Sequence, residues 1–99
     1  MYNAPIMAPE VVQLIRVAAE VLKAEGAREV YVFGSAARGM LGPDSDIDLA
    51  VSGLPPDRFY RAMGKTVDAV GRSVDLIDLD ESNPFTRHLS QEGELRRVG

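Results

Sequence analysis

Three groups of residues in this 99-residue chain have the types and spacing to do chemistry. The first is Gly34-Ser35, within Phe33-Gly34-Ser35-Ala36-Ala37-Arg38-Gly39. A glycine lets backbone N–H groups approach a phosphate with no Cβ in the way, and Ser35 adds a hydroxyl donor where a short helix can begin. The second is Asp46-Ile47-Asp48, whose acids at i and i+2 point to one face of a strand. Two carboxylates about 4 Å apart repel by roughly 1 kcal/mol in water and about 4 kcal/mol at an effective dielectric of 20, so such a pair calls for a cation. Mg2+ is the natural cation, and a nucleoside triphosphate its natural companion ligand. The third group is Val74-Asp75-Leu76-Ile77-Asp78, which holds two further acids.

Those groups must be carried by regular elements. Pro9 opens a stretch in which Val11, Val12, Leu14, Ile15, Ala18, Ala19, Val21 and Leu22 fall on one broad helical face, with Gly26 where a C-terminal cap belongs. Arg28 to Phe33 reads as a strand that stops at Gly34, Ala36 to Met40 as one or two helical turns, and Leu41 to Ser45 as an ordered loop. Asp46 to Ser52 alternates acids and Ala50 against Ile47, Leu49 and Val51, so one face packs on a core and the other lines a cleft. Pro55-Pro56 starts a second long helix, with Phe59, Tyr60, Met63, Val67 and Val70 at helical spacing and Gly71 as its stop. Ser73 to Leu79 is a third strand, on which Asp75 and Asp78 occupy opposite faces; periodicity does not say which acid faces the cleft. A last helix runs from Pro84 to about Gln91, capped by Asn83, with Phe85 and Leu89 on its buried edge. The elements predict a small three-stranded sheet backed by helices, with loose ends at 1–7 and 97–99.

Composition narrows the function. A chain of this size makes one domain with a modest core and leaves no room for a second substrate-binding domain. Eleven Lys and Arg against 15 Asp and Glu, scattered, argue against a nucleic-acid footprint. With no cysteine and one histidine, His88, neither thiol chemistry nor a thiolate metal site is possible, and carboxylates must carry any acid–base work. No apolar run approaches a membrane span, and Met1 to Ala8 does not read as a leader, so a soluble, cytoplasmic protein is expected. His88, Tyr60 and the scattered Arg61, Lys65 and Arg72 read as surface or packing residues, and Arg96-Arg97 as too short a cluster to signify.

Taken together, Gly34-Ser35, the ten-residue interval to Asp46-Ile47-Asp48, and the later Val74-Asp75-Leu76-Ile77 strand resemble the signature of the polymerase-beta-type nucleotidyltransferase superfamily, over roughly residues 9–95. Size and the wording around Gly34 resemble its minimal nucleotidyltransferase (MNT) branch. The resemblance implies an α/β (α+β) nucleotidyltransferase fold with a mixed three-stranded sheet, one domain over 1–99 and an ordered core of about 9–95. It implies that Asp46, Asp48 and Asp75 form the catalytic and metal site for two Mg2+ ions, with Asp78 in reserve as third acid. Gly34 and Ser35 would hold the triphosphate of ATP, and Arg38 would neutralise it. The implied reaction is attack of an acceptor hydroxyl on the α-phosphorus, releasing pyrophosphate. The MNT branch commonly accompanies an all-helical HEPN-type toxin, so the resemblance implies an antitoxin that binds this partner in a hetero-oligomer and attaches AMP to a tyrosine. Two alternatives are an inactive fold that neutralises the toxin by binding, and transfer to a small hydroxyl compound such as an aminoglycoside.

Overall fold

A computed structural model describes residues 9–39, 42, 45–92 and 95–99. The expected loose start at 1–7, most of the 41–45 loop and Met40 lie outside the described residues. The elements, in order, are α1 (Pro9–Ala24), β1 (Glu29–Val32), α2 (Gly34–Ala37), β2 (Ile47–Ser52), a 3-10 turn (Pro56–Arg58), α3 (Phe59–Val70), β3 (Val74–Asp78), α4 (Pro84–Glu92) and β4 (Arg96–Arg97).

The sheet order is β3-β2-β1-β4. β1 runs antiparallel to β2 and to β4, whereas β2 and β3 are parallel. The parallel pair follows from the connection, because α3 carries the chain back over the sheet before β3 begins. The alternation in β2 sorts its side chains between two layers. Ile47, Leu49 and Val51 join Val30 and Val32 in a fully buried core with Ile15, Ala18 and Leu22 of α1. On the other face Ala50 packs with Phe33 and Leu89, so α1 and α3 cover one face and α4 part of the opposite one.

Four details depart from expectation. The sheet has four strands rather than three, because the chain end docks on the free side of β1. Val98 N–H donates to Val30 O at 2.8 Å, Val30 N–H donates to Gly99 O at 3.0 Å, and Arg97 pairs with Glu29 at 3.2 Å. Residues 97–99 are therefore paired rather than loose; a two-residue arginine strand held by backbone bonds has no apolar alternation to betray it. Within α1, Val12 is exposed, since the buried stripe is Ile15, Ala18, Ala19 and Leu22. Within α3 the fully covered positions are Ala62 and Thr66, with Val70 next, and Tyr60 stands in solvent at 78% exposure. Small residues let α3 approach α1 closely, which shifts the buried stripe away from the larger side chains.

Other expectations hold. Gly71 ends α3 in the left-handed region at φ 70°. Asn83 caps α4 by accepting the Thr86 N–H at 2.9 Å, and Thr86 Oγ1 accepts the Asn83 N–H in return at 3.2 Å. On α4 the expectation holds only in part: Leu89 is buried, but Phe85, expected beside it on the buried edge, is 48% exposed and meets Phe33 edge-on at 6.2 Å.

Leu49 sits at the centre of the principal core with no exposed surface. Leu49→Ala is expected to lower unfolding free energy by about 2–5 kcal/mol in urea titrations, the range for a buried leucine that leaves a cavity. Deletion of 96–99, which strips only an edge strand, should destabilise by less while leaving the transition cooperative.

Candidate active site

The alternation that buries Ile47 and Leu49 turns Asp48 to the face opposite the main core, where α4 leaves the start of β2 and β3 uncovered. In the parallel ladder Asp48 stands beside Asp75, and paired residues of neighbouring strands share a face. The structure thus brings Asp75, and not Asp78, next to Asp48. Asp78 pairs with Val51 and points to the α3 side, where its carboxylate accepts the Asp80 N–H at 2.9 Å. Asp46 lies exposed just before β2, close enough for its charge to act on Asp48.

The carboxyl of Asp48 is held above its ordinary pKa, first by burial, then by the negative charge of Asp75 and of Asp46. Among the described residues no trio of Asp, Glu or His closes tightly enough to grip an ion as it stands, as expected of like charges that face one another. The donor set nevertheless fits a hard cation: it offers carboxylate oxygens only, and the charges of Asp46 and Asp75 converge on Asp48.

Gly34 completes the corner. Phe33 N–H donates to Asp48 O at 3.1 Å, the last bond between the strands, and the chain then turns at Gly34 with φ 63° into α2. A Cβ at Gly34 would collide with the carboxylate of Asp48. The glycine is therefore needed for the turn and also for the space that an acid of the site fills. Sequence reasoning gave this glycine a phosphate-facing role and missed the space it leaves for Asp48. Ser35 follows in the first turn of α2, half-buried, and Arg38 is exposed at the end of that turn with its N–H bonded to Gly34 O and Ser35 O. The Arg38 side chain makes no ion pair among the described residues.

A further residue escaped the sequence reading. Arg72, just before β3, donates from Nη2 to the carbonyls of Gly42, at 2.6 Å, and Ser45. It thereby ties the loop entering Asp46 to the start of the strand that carries Asp75. An arginine bonded to loop carbonyls carries no motif, and only the tertiary structure shows it.

A mixed sheet that sets a glycine-serine turn against two acids of a parallel strand pair is the nucleotidyltransferase fold. The chain belongs to the polymerase beta nucleotidyltransferase family, whose model matches residues 17–95. No curated protein matches it. Among solved structures it is similar to a minimal nucleotidyltransferase, at 26% identity and TM-score 0.70, over 94% of this chain and 96% of that one. It is similar to a toxin–antitoxin crystal structure with AMP-PNP, at 22% identity and TM-score 0.66, over 91% of this chain and 72% of that one. A third is the complex of tri-AMPylated Shewanella oneidensis HEPN toxin with MNT antitoxin, at 23% identity and TM-score 0.60, over 87% of this chain and 70% of that one. Among the described residues no helix is long and apolar enough to cross a membrane.

The raised pKa of Asp48 has a defined consequence for stability. The native state keeps this proton to higher pH than the unfolded chain, so the associated stability is complete below the ordinary carboxylate range. It is lost as pH rises through the raised value. Asp48→Asn should therefore be more stable than wild type at neutral pH, with the difference vanishing in acid. Urea titrations across pH read this directly, and a constant difference would contradict it. Gly34→Ala should cost about 1–2 kcal/mol for the left-handed backbone. It should also displace the Asp48 carboxylate, so binding of a Mg2+-nucleotide measured by calorimetry should suffer far more than stability.

Proposed function

We propose that this chain is a Mg2+-dependent nucleotidyltransferase that moves AMP from ATP to a tyrosine hydroxyl of a HEPN-type toxin, and so acts as the antitoxin of a pair in the cytoplasm. The observation that carries this reading is the pairing of Asp48 with Asp75 beside the Gly34 turn. It gathers the phosphate-facing turn and the acids on one open face. The similar structures lend support, since one pairs an MNT antitoxin with an AMPylated HEPN toxin and another contains AMP-PNP.

Asp46, Asp48 and Asp75 would hold Mg2+, which when bound offsets phosphate charge and lowers the pKa of the acceptor hydroxyl. The remaining roles fall to the chain. Backbone N–H groups and Ser35 Oγ at the Gly34 turn hold the phosphates, and the exposed Arg38 can swing toward them. In the transfer the acceptor oxygen bonds to the α-phosphorus while the bond from that phosphorus to the bridging oxygen breaks. Pyrophosphate leaves with the electron pair, and Asp75, on the outer strand, would act on the attacking hydroxyl, either by taking its proton or through a bound metal. Asp78, on the other face, has no part.

Labelled ATP, Mg2+ and the purified toxin should yield labelled toxin with wild-type chain and only background with Asp46→Asn, Asp48→Asn. Labelling that survives the double substitution would reject this site. Toxin neutralisation that persists in the unlabelled complex would transfer the antitoxin role to binding alone.

A further inference from the structure

The outer edge of β3 is unpaired, and its position beside the acids gives it a use. β3 is the edge strand of the sheet, and the parallel register consumes only half of its backbone. Ile47 N–H donates to Ser73 O at 3.0 Å and Leu79 N–H to Val51 O at 2.9 Å, so the alternate residues Ser73, Asp75, Ile77 and Leu79 face β2. Val74 and Leu76 point their N–H and C=O groups outward, as does the N–H of Asp78, and no described residue bonds to them. Exposed edges of this kind are ordinarily blunted by lysine or other charges, proline or a bulge, and the only charges on β3 are acidic, Asp75 and Asp78, which repel an acidic strand and not a basic one. Val74–Asp78 holds neither lysine nor proline.

Two open hollows flank this edge on the α3 side. One, of about 450 Å³, lies among Tyr60, Met63, Val67, Asp68 and Val74. The other, of about 400 Å³, lies among Pro56, Phe59, Tyr60, Asp78, Asp80 and Glu81. Tyr60, highly exposed and seated edge-on against Phe59 at 5.4 Å, borders both. The border is acidic: on the α3 side Arg61 and Lys65 pair with Glu25 at 3.0 and 3.5 Å, Arg72 holds loop carbonyls, and Arg87 reaches Glu81 only from the α4 side.

We propose that the β3 edge is the acceptor-docking surface, taking an extended, basic segment of a partner protein as an added strand. Outward backbone groups supply the ladder, alternate apolar side chains enter the hollows beside Tyr60, and flanking Lys or Arg meet Asp68, Asp78, Asp80 and Glu81. The intervening side chains then lie on the cleft face. The one beside Asp75 is within about 5 Å between Cβ atoms, the spacing of cross-strand neighbours, which is where an acceptor hydroxyl is needed. This deepens the transferase reading and rests on it for the reaction, but not for the docking.

The probe is a ten-residue peptide with one tyrosine between β-branched residues and arginines at both ends, compared with its glutamate-ended counterpart. The basic peptide should bind about tenfold or more tightly than the acidic one, and should shift the amide NMR signals of Val74, Leu76 and Asp78. Val74→Pro removes an outward donor without touching the β2 ladder. Asp68→Lys, Glu81→Lys reverses exposed charge outside the cleft. Each should weaken peptide binding about tenfold while leaving Mg2+-ATP analogue binding unchanged. Equal binding of the two peptides, or shifts confined to other elements, would overturn the docking surface. So would full binding by both variants, or an edge occupied by a second copy of the chain in a concentration-dependent dimer. Peptide bound at β3 with no AMP transferred from Mg2+-ATP to it or to the toxin would instead count against the transferase reading and leave the docking surface standing.

Discussion

The parallel pairing of β2 with β3 is the constraint on which the rest of this molecule turns. It sets Asp48 beside Asp75, two like charges that would separate if side chains alone decided. What holds them is on the opposite face, where Ile47 and Leu49 are fully buried and Leu76 nearly so, against α1 and α3. Because a strand alternates with period two, a slip of one residue in β3 would carry Leu76 out of the core as surely as it carried Asp75 out of the site. Each buried aliphatic is worth about 1.5–3 kcal/mol and Ile47, Leu49 and Leu76 act together, against a carboxylate repulsion of about 4 kcal/mol at an effective dielectric of 20, so the core fixes the register against the charges.

That division of labour also explains the corner at Gly34. The Asp48 carboxylate stands against the backbone turn, and the approach is close enough that only the absence of a side chain at Gly34 leaves room for it. The turn cannot drift, because the Phe33–Asp48 backbone bond clips it to β2 and the Phe33 ring is anchored among Ala50, Leu89 and Phe85. Arg72 performs a like service on the far side by tying the loop that enters Asp46 to the entrance of β3. The acids thus lie between two fastened segments, while Asp48 itself carries the electrostatic strain.

Much of this was legible in the sequence because the signals were local. The helical stripe of α1, the alternation in β2, the left-handed stop at Gly71 and the Asn83 cap each follow from neighbours a few residues apart. What was not legible depends on distant partners. β4 exists only because residues 96–99 meet the unpaired side of β1, and two arginines show no strand pattern. The choice between Asp75 and Asp78 could not come from periodicity, which assigns them to opposite faces but leaves the faces unlabelled; the register against β2 supplies the label. Tyr60 satisfies helical spacing yet stays exposed, because the covered stripe of α3 runs through Ala62, Thr66 and Val70 instead, and Phe85 on α4 stays half exposed with the Phe33 ring as its aromatic neighbour.

The same geometry bears on why so small a domain can leave its cleft open. α1 and α3 bury one face of the sheet almost completely, whereas α4 covers the other only over Phe33, Ala50 and Leu89. Extending α4, or adding a fifth strand beyond β3, would bury more apolar surface and raise stability. Either would also wall off Asp75, the acid on the outermost strand, from anything approaching along the sheet. Asp48 is already half-buried and resists ionising; enclosing it further would raise that cost before any cation or nucleotide arrived to offset it. An open β3 side is therefore what the electrostatics of the acids favour, and it leaves that wall of the cleft to be supplied by whatever docks there.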